Sequence, residues 1–458
     1  MNLPNYFLAD LPPEAALTPA LIDEACQTLR RNRECYLAHR STQSLVQVLC
    51  RVARDWLEPS DPFRQFALEQ SPAATGFPRA TLARGLDAFF KSLTPEHFHA
   101  LLEQDLGHVR RLDELTSAAP ERAARRAALA TAPELLAHIT AGNLPSPALA
   151  AIVLGVLTRS AQFVKCARGA SLLPRLFAHS LYQAEPKLGA CLELAEWAGG
   201  RQDLEAPLFA AADCITATGT DATLAAIRPR VPAAARFLAY GHRVSFAYVA
   251  AAGLAGRQAR QIAAQAAADV AAWNQQGCLS PHVIYVELGG GVAPEGFAAL
   301  LAEELERLEQ AEPRGELPVA AAAAITSRRG FYEIRAAHSP DTRLWCSRGS
   351  TAWTVVYEAD PRFQLSCLNR FVYVKAVKDL SETLQGADPV RGRVSTVGLA
   401  APAAGMPALA AALARWGAAR VCALGRMQQP PLAWRHDGRP ALGDLVTWTD
   451  WEQESLET

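Results

Sequence analysis

The chain has 458 residues, about three times the length of a typical domain, so two or three domains are expected. Its 45 Lys and Arg residues nearly balance its 46 Asp and Glu residues, 50% of the chain is hydrophobic and 20% is charged. This composition excludes a disordered polymer. It also lacks the polybasic signature of proteins that bind nucleic acid or anionic membranes.

No membrane span or export signal is predicted. The longest apolar stretches, residues 147–157 and 245–255, are shorter than the roughly 20 residues that a bilayer-spanning helix needs. The first residues do not combine a basic start with an apolar block, as a secretory signal would. We therefore expect a cytoplasmic protein.

The ten cysteines contain no Cys-x-x-Cys pair, and no group of cysteines and histidines has zinc-like spacing. No metal site is therefore predicted. The cysteines are also too sparse for a disulfide scaffold. Most are expected to be small buried hydrophobes, and context must identify any nucleophile among them.

Residues 1–130 are predicted to be mainly helical. Leucine, phenylalanine and valine recur at helical spacing through Leu17–Leu57 and Arg79–Leu106, with proline-rich turns between the helices. The segment Pro120–Arg126 has the composition of a solvated, basic helix start.

From about residue 133, short apolar runs alternate with helical patterns, which predicts a first α/β block over residues 131–253. Its predicted strands are 135–141, 162–167, 214–218, 236–240 and 244–250. Strands that recur with intervening helices indicate right-handed crossovers and a parallel sheet covered on both faces.

A second α/β block is predicted over residues 254–430, after the long helix 257–273, and residues 431–458 form a C-terminal tail. The predicted strands of this block are 283–287, 351–357, 371–377, 394–399 and 420–424. Two α/β blocks place a cleft between domains, where ligand sites often form.

The segment Asn274–Pro281 joins the end of a long helix to the start of a strand and contains Gly277 and Cys278. A cysteine on such a tight loop is presented to a cleft, and nearby backbone N–H groups can stabilise a thiolate and an oxyanion. The side chains of Asn274, Gln275 and Gln276 could orient a bound carbonyl. Cys278 is thus a candidate nucleophile; the alternative is a turn with a buried cysteine.

Asn143 lies in the loop Ala141–Pro147, between a strand and a helix of the first block. In a doubly wound sheet this is a carboxyl-end loop, where ligands bind. Its side-chain N–H could stabilise an oxyanion. The alternative is an ordinary turn with asparagine and proline in their usual places.

Two further strand ends suggest a nucleotide site. Lys165 could reach a ribose or phosphate of a dinucleotide, and Arg168 could favour a 2′-phosphate; the alternative is two solvated bases. Gly219, Thr220 and Thr223 lie at a strand–helix junction that could cradle a pyrophosphate, unless Thr220 is a plain N-cap. No predicted strand is followed by Gly-x-Gly-x-x-Gly, so the ordinary Rossmann fingerprint is absent.

Asn143, Lys165, the Gly219–Thr220 turn and Cys278 follow the order of the Asn-x-Pro loop, strand-end lysine, Gly–Ser/Thr turn and loop cysteine of aldehyde dehydrogenases. The chain resembles this superfamily, and in particular its fatty acyl-CoA reductase branch, the LuxC-type reductases. The likeness covers roughly residues 130–450. The segments that suggest the branch are Gly142–Pro145, Tyr240–Phe246, Cys278–Pro281, Ser366–Arg370 and Trp434–Pro440.

The resemblance implies an aldehyde dehydrogenase-like fold with two doubly wound α/β domains behind the helical region. Residues 131–253 would be the dinucleotide-binding domain and residues 254–430 the catalytic domain. The tail, residues 431–458, would return to the active-site region. Dimers or tetramers are also implied.

The implied activity is reduction of an acyl thioester to an aldehyde. Cys278 would attack an acyl-CoA or an acyl-protein, while Asn143 and the Cys278 backbone N–H stabilise the oxyanion. NADPH, held by Lys165, Arg168 and the Gly219–Thr223 turn, would supply the hydride.

One departure from ordinary aldehyde dehydrogenases is informative. Those enzymes carry a glutamate, in a Glu-Leu-Gly-Gly-Lys motif upstream of the cysteine, that activates water for deacylation. Ala239 stands at the matching position here. Without that base a thioester survives long enough to meet a hydride or a thiol, so acyl reduction fits better than aldehyde oxidation.

Several alternatives stay open. His436, in a glycine-bounded turn beside Asp437, is a candidate proton donor to the product aldehyde, or it only caps the turn. The chain could instead be a non-reducing acyl-transfer or scaffold subunit that works with a synthetase or transferase partner. Aldehyde oxidation is the third possibility, and Ala239 disfavours it.

Overall fold

The chain begins with a layer of helices. The computed structural model describes residues 3–12 and 14–453. The helices of this layer are α1 Pro19–Tyr36, α2 Thr42–Leu57, α3 Pro62–Thr75, α4 Arg79–Lys91, α5 Pro95–Leu106 and α6 Ala119–Ala123, and strand β1 Arg126–Thr131 follows them. The side chains of Thr18, Ser41, Asp61 and Thr94 cap α1, α2, α3 and α5 by accepting the N–H three residues later. The predicted mainly helical N-terminal region is confirmed.

The next elements form a first α/β unit. Its strands are β2 Leu135–Ile139, β3 Ala161–Cys166, β4 Leu192–Glu196, β5 Cys214–Thr218 and β6 Arg236–Tyr240. Its helices are α7 Ser146–Leu157, α8 Leu172–Ala184, α9 Pro186–Gly189, α10 Gln202–Ala211 and α11 Asp221–Ile227. The five strands are parallel in the order β4-β3-β2-β5-β6. Because the strand order reverses at β2, a crevice opens at the carboxyl ends of β2 and β5.

The helical layer shares its core with this first unit. Trp56 of α2 stacks on Phe90 of α4 with ring centres 4.9 Å apart, and its indole N–H donates to Ser180 of α8 over 2.8 Å. On the other face of the sheet, Ile22 of α1 is packed with Phe163 of β3. Helices of the N-terminal layer therefore lie on both sides of the first sheet.

A larger α/β unit follows. Its strands are β7 Val244–Val249, β8 Pro281–Glu287, β9 Thr342–Cys346, β10 Thr354–Glu358, β11 Phe371–Val377, β12 Val394–Ala400 and β13 Val421–Ala423. Its helices are α12 Arg257–Ala271, α13 Pro294–Ala311, α14 Val319–His338, α15 Leu380–Ala387 and α16 Met406–Trp416. The sheet order is β13-β12-β7-β8-β11-β10-β9, parallel except for the antiparallel edge strand β9.

The tail runs back across the molecule. Strand β14 Thr447–Glu452 pairs antiparallel with β1, so that Arg126 lies opposite Glu452. Every residue of β14 is exposed. Arg236 of β6 donates to the carbonyl oxygens of Asp444 and Val446 over 2.7 and 3.0 Å, which fastens the approach to β14 onto the first sheet.

Some local expectations were wrong. The basic helix expected over Pro120–Arg126 ends at Ala123, and Arg126 begins β1, because its pairing partner lies over 300 residues further along the chain. Strands β4 and β9 were not predicted. The strand Val244–Val249 was assigned to the first block, but it pairs with β8 and β12, so the change of sheet comes before residue 244 rather than at 253.

Candidate active site between the two sheets

The predicted nucleophile lies on a short loop at the amino end of β8. Helix α12 ends at Ala271, and Trp273–Gln275 then adopt positive φ values between 49° and 63°. Cys278 follows and is partly exposed, whereas both of its neighbours are buried. Non-glycine residues with positive φ cost on the order of 1–3 kcal/mol each and persist only where contacts impose them.

A second left-handed turn, Leu368–Arg370, holds the first one in place. The backbone N–H of Asn369 donates to the carbonyl of Asn274 over 3.0 Å, and the Gln276 amide donates to Asn369 Oδ1 over 2.7 Å. The Gln275 amide donates to the Phe371 carbonyl over 2.9 Å and accepts the Phe371 N–H over 2.9 Å. Two strained turns thus fix each other and with them the cysteine loop.

These bonds change the expected role of the amides before the cysteine. The side chain of Gln275 is completely buried, and that of Asn274 donates to the Arg314 carbonyl over 3.0 Å. Gln276 is committed to Asn369. The three amides therefore shape the loop, contrary to the expectation that they orient a bound carbonyl.

Arg370, which the resemblance singled out, supports the same turn from inside. Its side chain is fully buried and donates from Nη1 to Glu309 over 2.7 Å and from Nη2 to the Glu312 carbonyl over 3.1 Å. Burial lowers the pKa of its guanidinium to about 10, with Glu309 opposing the shift.

The backbone of Cys278 is anchored to the centre of the large sheet. Its carbonyl accepts the Ser245 hydroxyl of β7 over 2.6 Å, and that hydroxyl oxygen accepts the Thr396 N–H of β12 over 3.1 Å. The thiol is close to Ser395, Asp437 and Arg243. The backbone of the cysteine is therefore held from β7 and β12, and the tail lies near its thiol.

The surroundings of the Cys278 sulfur disfavour the thiolate. Burial raises the pKa of Cys278 to about 11, and the Asp437 carboxylate adds to the rise, while a hydrogen bond from Ser395 and the Arg243 guanidinium oppose it. A thiolate, the form that attacks carbonyl carbons, therefore needs a change around the sulfur.

Asn143 reaches the cysteine loop from the first α/β unit. Its side-chain amide donates to the Gln276 carbonyl over 3.0 Å, and the side chain is exposed. The next residue, Leu144, lies so close to Gly277 that a Cβ there would be 3.1 Å from its Cδ1 atom. The structure thus brings Asn143 and Cys278 to one cleft, with one amide hydrogen of Asn143 used by the loop.

His436 lies in the same cleft, in a turn of the tail. Its ring stacks on Tyr240 at the end of β6, with centres 4.8 Å apart and planes 14° apart, and Trp434 lies 4.6 Å away on the tail. Its Nε2 atom is 3.9 Å from Asp437 Oδ1. Burial lowers the pKa of His436, and Asp437 partly opposes this.

Lys165 and Arg168 lie where β3 ends, beside the crevice of the first sheet. Lys165 is 4% exposed and its ammonium is 5.9 Å from the centre of the Trp197 ring. Burial lowers its pKa, with Glu205 opposing the shift. Arg168 is exposed. A buried ammonium beside an exposed guanidinium suits an anionic ligand with hydroxyl groups, as a dinucleotide is.

The turn between β5 and α11 was expected to be either a pyrophosphate cradle or a plain N-cap, and the structure shows the N-cap. Thr220 is the N-cap of α11, and its hydroxyl oxygen accepts the Thr223 N–H over 3.2 Å. The N–H of Gly219 donates to the Tyr240 carbonyl over 3.1 Å. These groups are therefore used inside the protein, and the turn has fewer free donors than a phosphate cradle needs.

Sequence reasoning did not select three residues beside the thiol: Arg243, Ser395 and Asp437. Arg243 was noted only as part of a longer segment, and Asp437 only as part of such a segment and as the neighbour of His436. Ser395 lies in β12, which was predicted only as a strand. Asp437 has a φ of 54°, a conformation that aspartate tolerates in turns. The glycine after it was the one available sign of a special turn.

The family can now be stated. A family model described as acyl-CoA reductase (LuxC) matches residues 37–448. The chain belongs to this family. A curated relative, long-chain acyl-protein thioester reductase 2 of Photobacterium leiognathi, is 24% identical over 327 residues. That match covers 70% of this chain and 64% of the relative's length.

Solved structures confirm the predicted aldehyde dehydrogenase-like fold of this LuxC-family chain. A bifunctional proline utilization A (PutA) protein superimposes with a TM-score of 0.72 at 16% identity, over 97% of this chain and 46% of that one. A NAD-dependent benzaldehyde dehydrogenase from Corynebacterium glutamicum gives a TM-score of 0.69 at 13% identity, over 98% and 94%.

Two kinds of feature are missing from residues 3–12 and 14–453. None of the helices there is both long and apolar enough to cross a bilayer. Nor do three or more histidine, cysteine, aspartate or glutamate side chains come together there as metal ligands would.

Proposed function

We propose that this protein reduces a fatty acyl thioester to an aldehyde through a thioester on Cys278. The observation that carries the proposal is the meeting of Cys278, on its constrained loop, with Asn143 from the nucleotide-binding side of the cleft. Membership of the acyl-CoA reductase family supports the same reaction.

In the first half of the reaction, the Cys278 sulfur forms a bond to the acyl carbon and the donor thiol leaves with a proton. The Asn143 amide and the Cys278 N–H stabilise the negative oxygen of the tetrahedral intermediate. Asn143 has a second amide hydrogen beyond the one given to Gln276. The Asn143 amide could therefore donate one hydrogen bond to the loop and one to the oxyanion at the same time.

The donor is an acyl-CoA or an acyl group carried on a protein. The curated relative's name refers to an acyl-protein thioester. Both donors present the same reacting group, so the cleft chemistry does not separate them.

The cofactor is proposed to be NADPH, which supplies a hydride when bound. Lys165 would bind the ribose or phosphate near the adenine, and Arg168 would pair with the 2′-phosphate. Gly219, Thr220 and Thr223 would contribute the surface of their turn rather than a full phosphate cradle, since the N–H groups of Gly219 and Thr223 are already bonded within the protein.

Two residues govern the fate of the acyl group. Ala239, where aldehyde dehydrogenases have a glutamate, offers no base to activate water, so the thioester persists. His436, held between Tyr240 and Trp434, is proposed to give the proton that neutralises the product oxygen. We propose residues 131–243 as the nucleotide-binding unit and the sheet from β7 onward as the catalytic unit.

The test is intact-protein mass spectrometry after incubation with tetradecanoyl-CoA, with and without NADPH. We expect a mass increase equal to one acyl group without NADPH, and loss of that increase with aldehyde release when NADPH is added. The Cys278→Ala protein should not gain the mass. The matched control is Cys422→Ala, which removes another partly exposed cysteine whose pKa burial raises to about 11.

Three results would contradict the proposal. Acylation of the Cys278→Ala protein would remove the assigned nucleophile. If the unmodified protein is acylated but neither NADPH nor NADH removes the acyl group as aldehyde, the result would favour a non-reducing acyl-transfer subunit. Oxidation of free aldehyde to acid without CoA would favour an ordinary dehydrogenase.

A further inference from the structure

The carboxylate of Asp437 contacts two residues that adjoin the anchor of the proposed nucleophile. Arg243 lies two residues before Ser245, whose hydroxyl donates to the Cys278 carbonyl, and Ser395 lies one residue before Thr396, whose N–H donates to that hydroxyl. The Asp437 side chain is 3% exposed, although the residue belongs to a short turn near the surface. The positive φ of Asp437 turns the chain sharply, and backbone bonds from Gly438 to Arg435 and from Arg439 to His436 close the turn. The shape of the turn thus buries the carboxylate. Burying a charged group costs free energy unless charged or polar partners contact it.

Its two partners are the groups that would otherwise stabilise a Cys278 thiolate. Asp437 Oδ2 lies 3.3 Å from Arg243 Nε, and Asp437 Oδ1 accepts the Ser395 hydroxyl over 3.5 Å. The same Arg243 and Ser395 favour the charged form of the Cys278 sulfur, and Asp437 disfavours it. One carboxylate therefore competes with the sulfur for both donors.

We propose that Asp437 is a positioning residue that keeps Cys278 as a neutral thiol in the resting protein, by engaging Arg243 and Ser395. This inference rests on the proposed role of Cys278 as the nucleophile. Activation then requires the Arg243–Asp437 contact to loosen, so that the guanidinium turns to the sulfur while the thiol proton leaves to solvent or buffer. No bond other than S–H breaks in this step.

The ionisable groups of this cluster come from two elements. The tail turn contributes Asp437 and His436, whose Nε2 atom lies 3.9 Å from Asp437 Oδ1, and the segment between β6 and β7 contributes Arg243. Strand β12 contributes only the neutral Ser395. Because Arg243 is the cation in direct contact with Asp437, removing the carboxylate leaves that cation free for the thiolate.

The experiment follows alkylation of Cys278 by iodoacetamide across pH 6–11, with the cysteine-containing peptides quantified by mass spectrometry. We expect Asp437→Asn to lower the apparent pKa of Cys278 and to speed its alkylation at pH 7 by tenfold or more. Asparagine tolerates positive φ, so the turn should keep its shape. Arg243→Gln should have the opposite effect and slow alkylation at pH 7.

The exposed Cys35 in the same digest is the internal control, because its alkylation rate should be the same in all variants. If Asp437→Asn does not fold, Asp437→Ala serves in its place with the same expected direction. Slower alkylation at pH 7 in the asparagine variant would overturn the proposal and make Asp437 a base instead. An unchanged pH profile would also overturn it.

Alkylation needs neither an acyl donor nor a nicotinamide cofactor. If the protein forms no acyl-enzyme, the proposed function fails, and the alkylation profiles still decide the role of Asp437. If the acyl-enzyme forms but the profiles do not move as stated, only the inference about Asp437 fails.

Discussion

Cys278 and Asn143 show how far the position of a single site residue could be predicted from the sequence. Each lies at the end of a predicted element, next to glycine or proline, and each reaches the cleft. The position of a reactive side chain on a loop is encoded locally, because the turn residues are its sequence neighbours. Ser395 carries no such sign and Asp437 carries only the glycine after it, since their importance comes from lying near Cys278 across more than 100 residues of chain.

At the residue scale, Arg168 should determine the choice between cofactors. We expect Arg168→Glu to lower the ratio of kcat/KM for NADPH to that for NADH by roughly 10-fold or more, because a carboxylate repels the 2′-phosphate and accepts a ribose hydroxyl. Steady-state rates with each cofactor measure this ratio.

Arg348→Glu is the matched control, as it changes an exposed arginine between β9 and β10, in the other sheet. The control should leave the ratio unchanged. A ratio that Arg168→Glu leaves unchanged would mean that Arg168 does not contact the cofactor.

Among the elements, the two left-handed turns matter most for the site. Trp273–Gln275 and Leu368–Arg370 are about 95 residues apart in sequence and bond to each other through backbone and amide groups. Neither turn contains glycine, so the usual signal for positive φ is missing. The contact between them, and the bonds of Asn274 and Arg370 to residues outside the turns, support these conformations.

At this scale, Gln275→Ala should destabilise the protein. The side chain is fully buried, and its loss removes a donor from the Pro281 and Phe371 carbonyls and leaves the Phe371 N–H only its bond of 3.1 Å to the Leu368 carbonyl. Each unsatisfied buried group costs about 1–3 kcal/mol, so we expect a loss of roughly 3 kcal/mol in the free energy of unfolding. Urea titration followed by tryptophan fluorescence measures it.

Gln261→Ala, on the exposed side of α12, is the control and should change stability by less than about 0.5 kcal/mol. A Gln275→Ala protein as stable as the control would show that the strained turns do not depend on this side chain.

Across the whole molecule, the tail connects the two α/β units. It leaves β13, places Asp437 and His436 in the cleft, and pairs with β1. Four side chains form a row across the cleft. Its order is Arg420, Trp434, His436 and then Tyr240 of the first sheet. The candidate active site is thus bordered by a segment that belongs to neither α/β sheet.

A buried carboxylate makes the stability of the whole protein depend on pH. Asp269 of α12 accepts the Gly425 and Met427 N–H groups just after β13, and burial raises its pKa to about 7 although these bonds and Arg420 oppose the shift. Between an ordinary pKa of about 3.9 and 7, the folded protein holds this proton and the unfolded chain does not. The contribution of Asp269 to stability therefore falls as pH rises through that range.

Asp269→Asn should remove this dependence while keeping one oxygen to accept the N–H groups. We expect its Tm relative to the unmodified protein to rise between pH 5 and pH 8 by about 3 °C. Differential scanning fluorimetry at both pH values measures the change. The exposed Asp55→Asn should show no such trend, and a difference for Asp269→Asn that stays constant with pH would contradict the assignment.

The sequence by itself determined the helical N-terminal region, most strands of both sheets and the superfamily. It also singled out Cys278 and Asn143 on their loops and Lys165 near the end of β3. Local periodicity, caps and turn residues carry that information, because they act within a few positions. Tertiary structure decided the pairing of β1 with β14, the sheet to which β7 belongs, the mutual support of the two left-handed turns, and the charges around the Cys278 thiol. Each of these depends on residues that are distant in the chain and meet only after folding. Burial then strengthens the electrostatic interactions and hydrogen bonds between them.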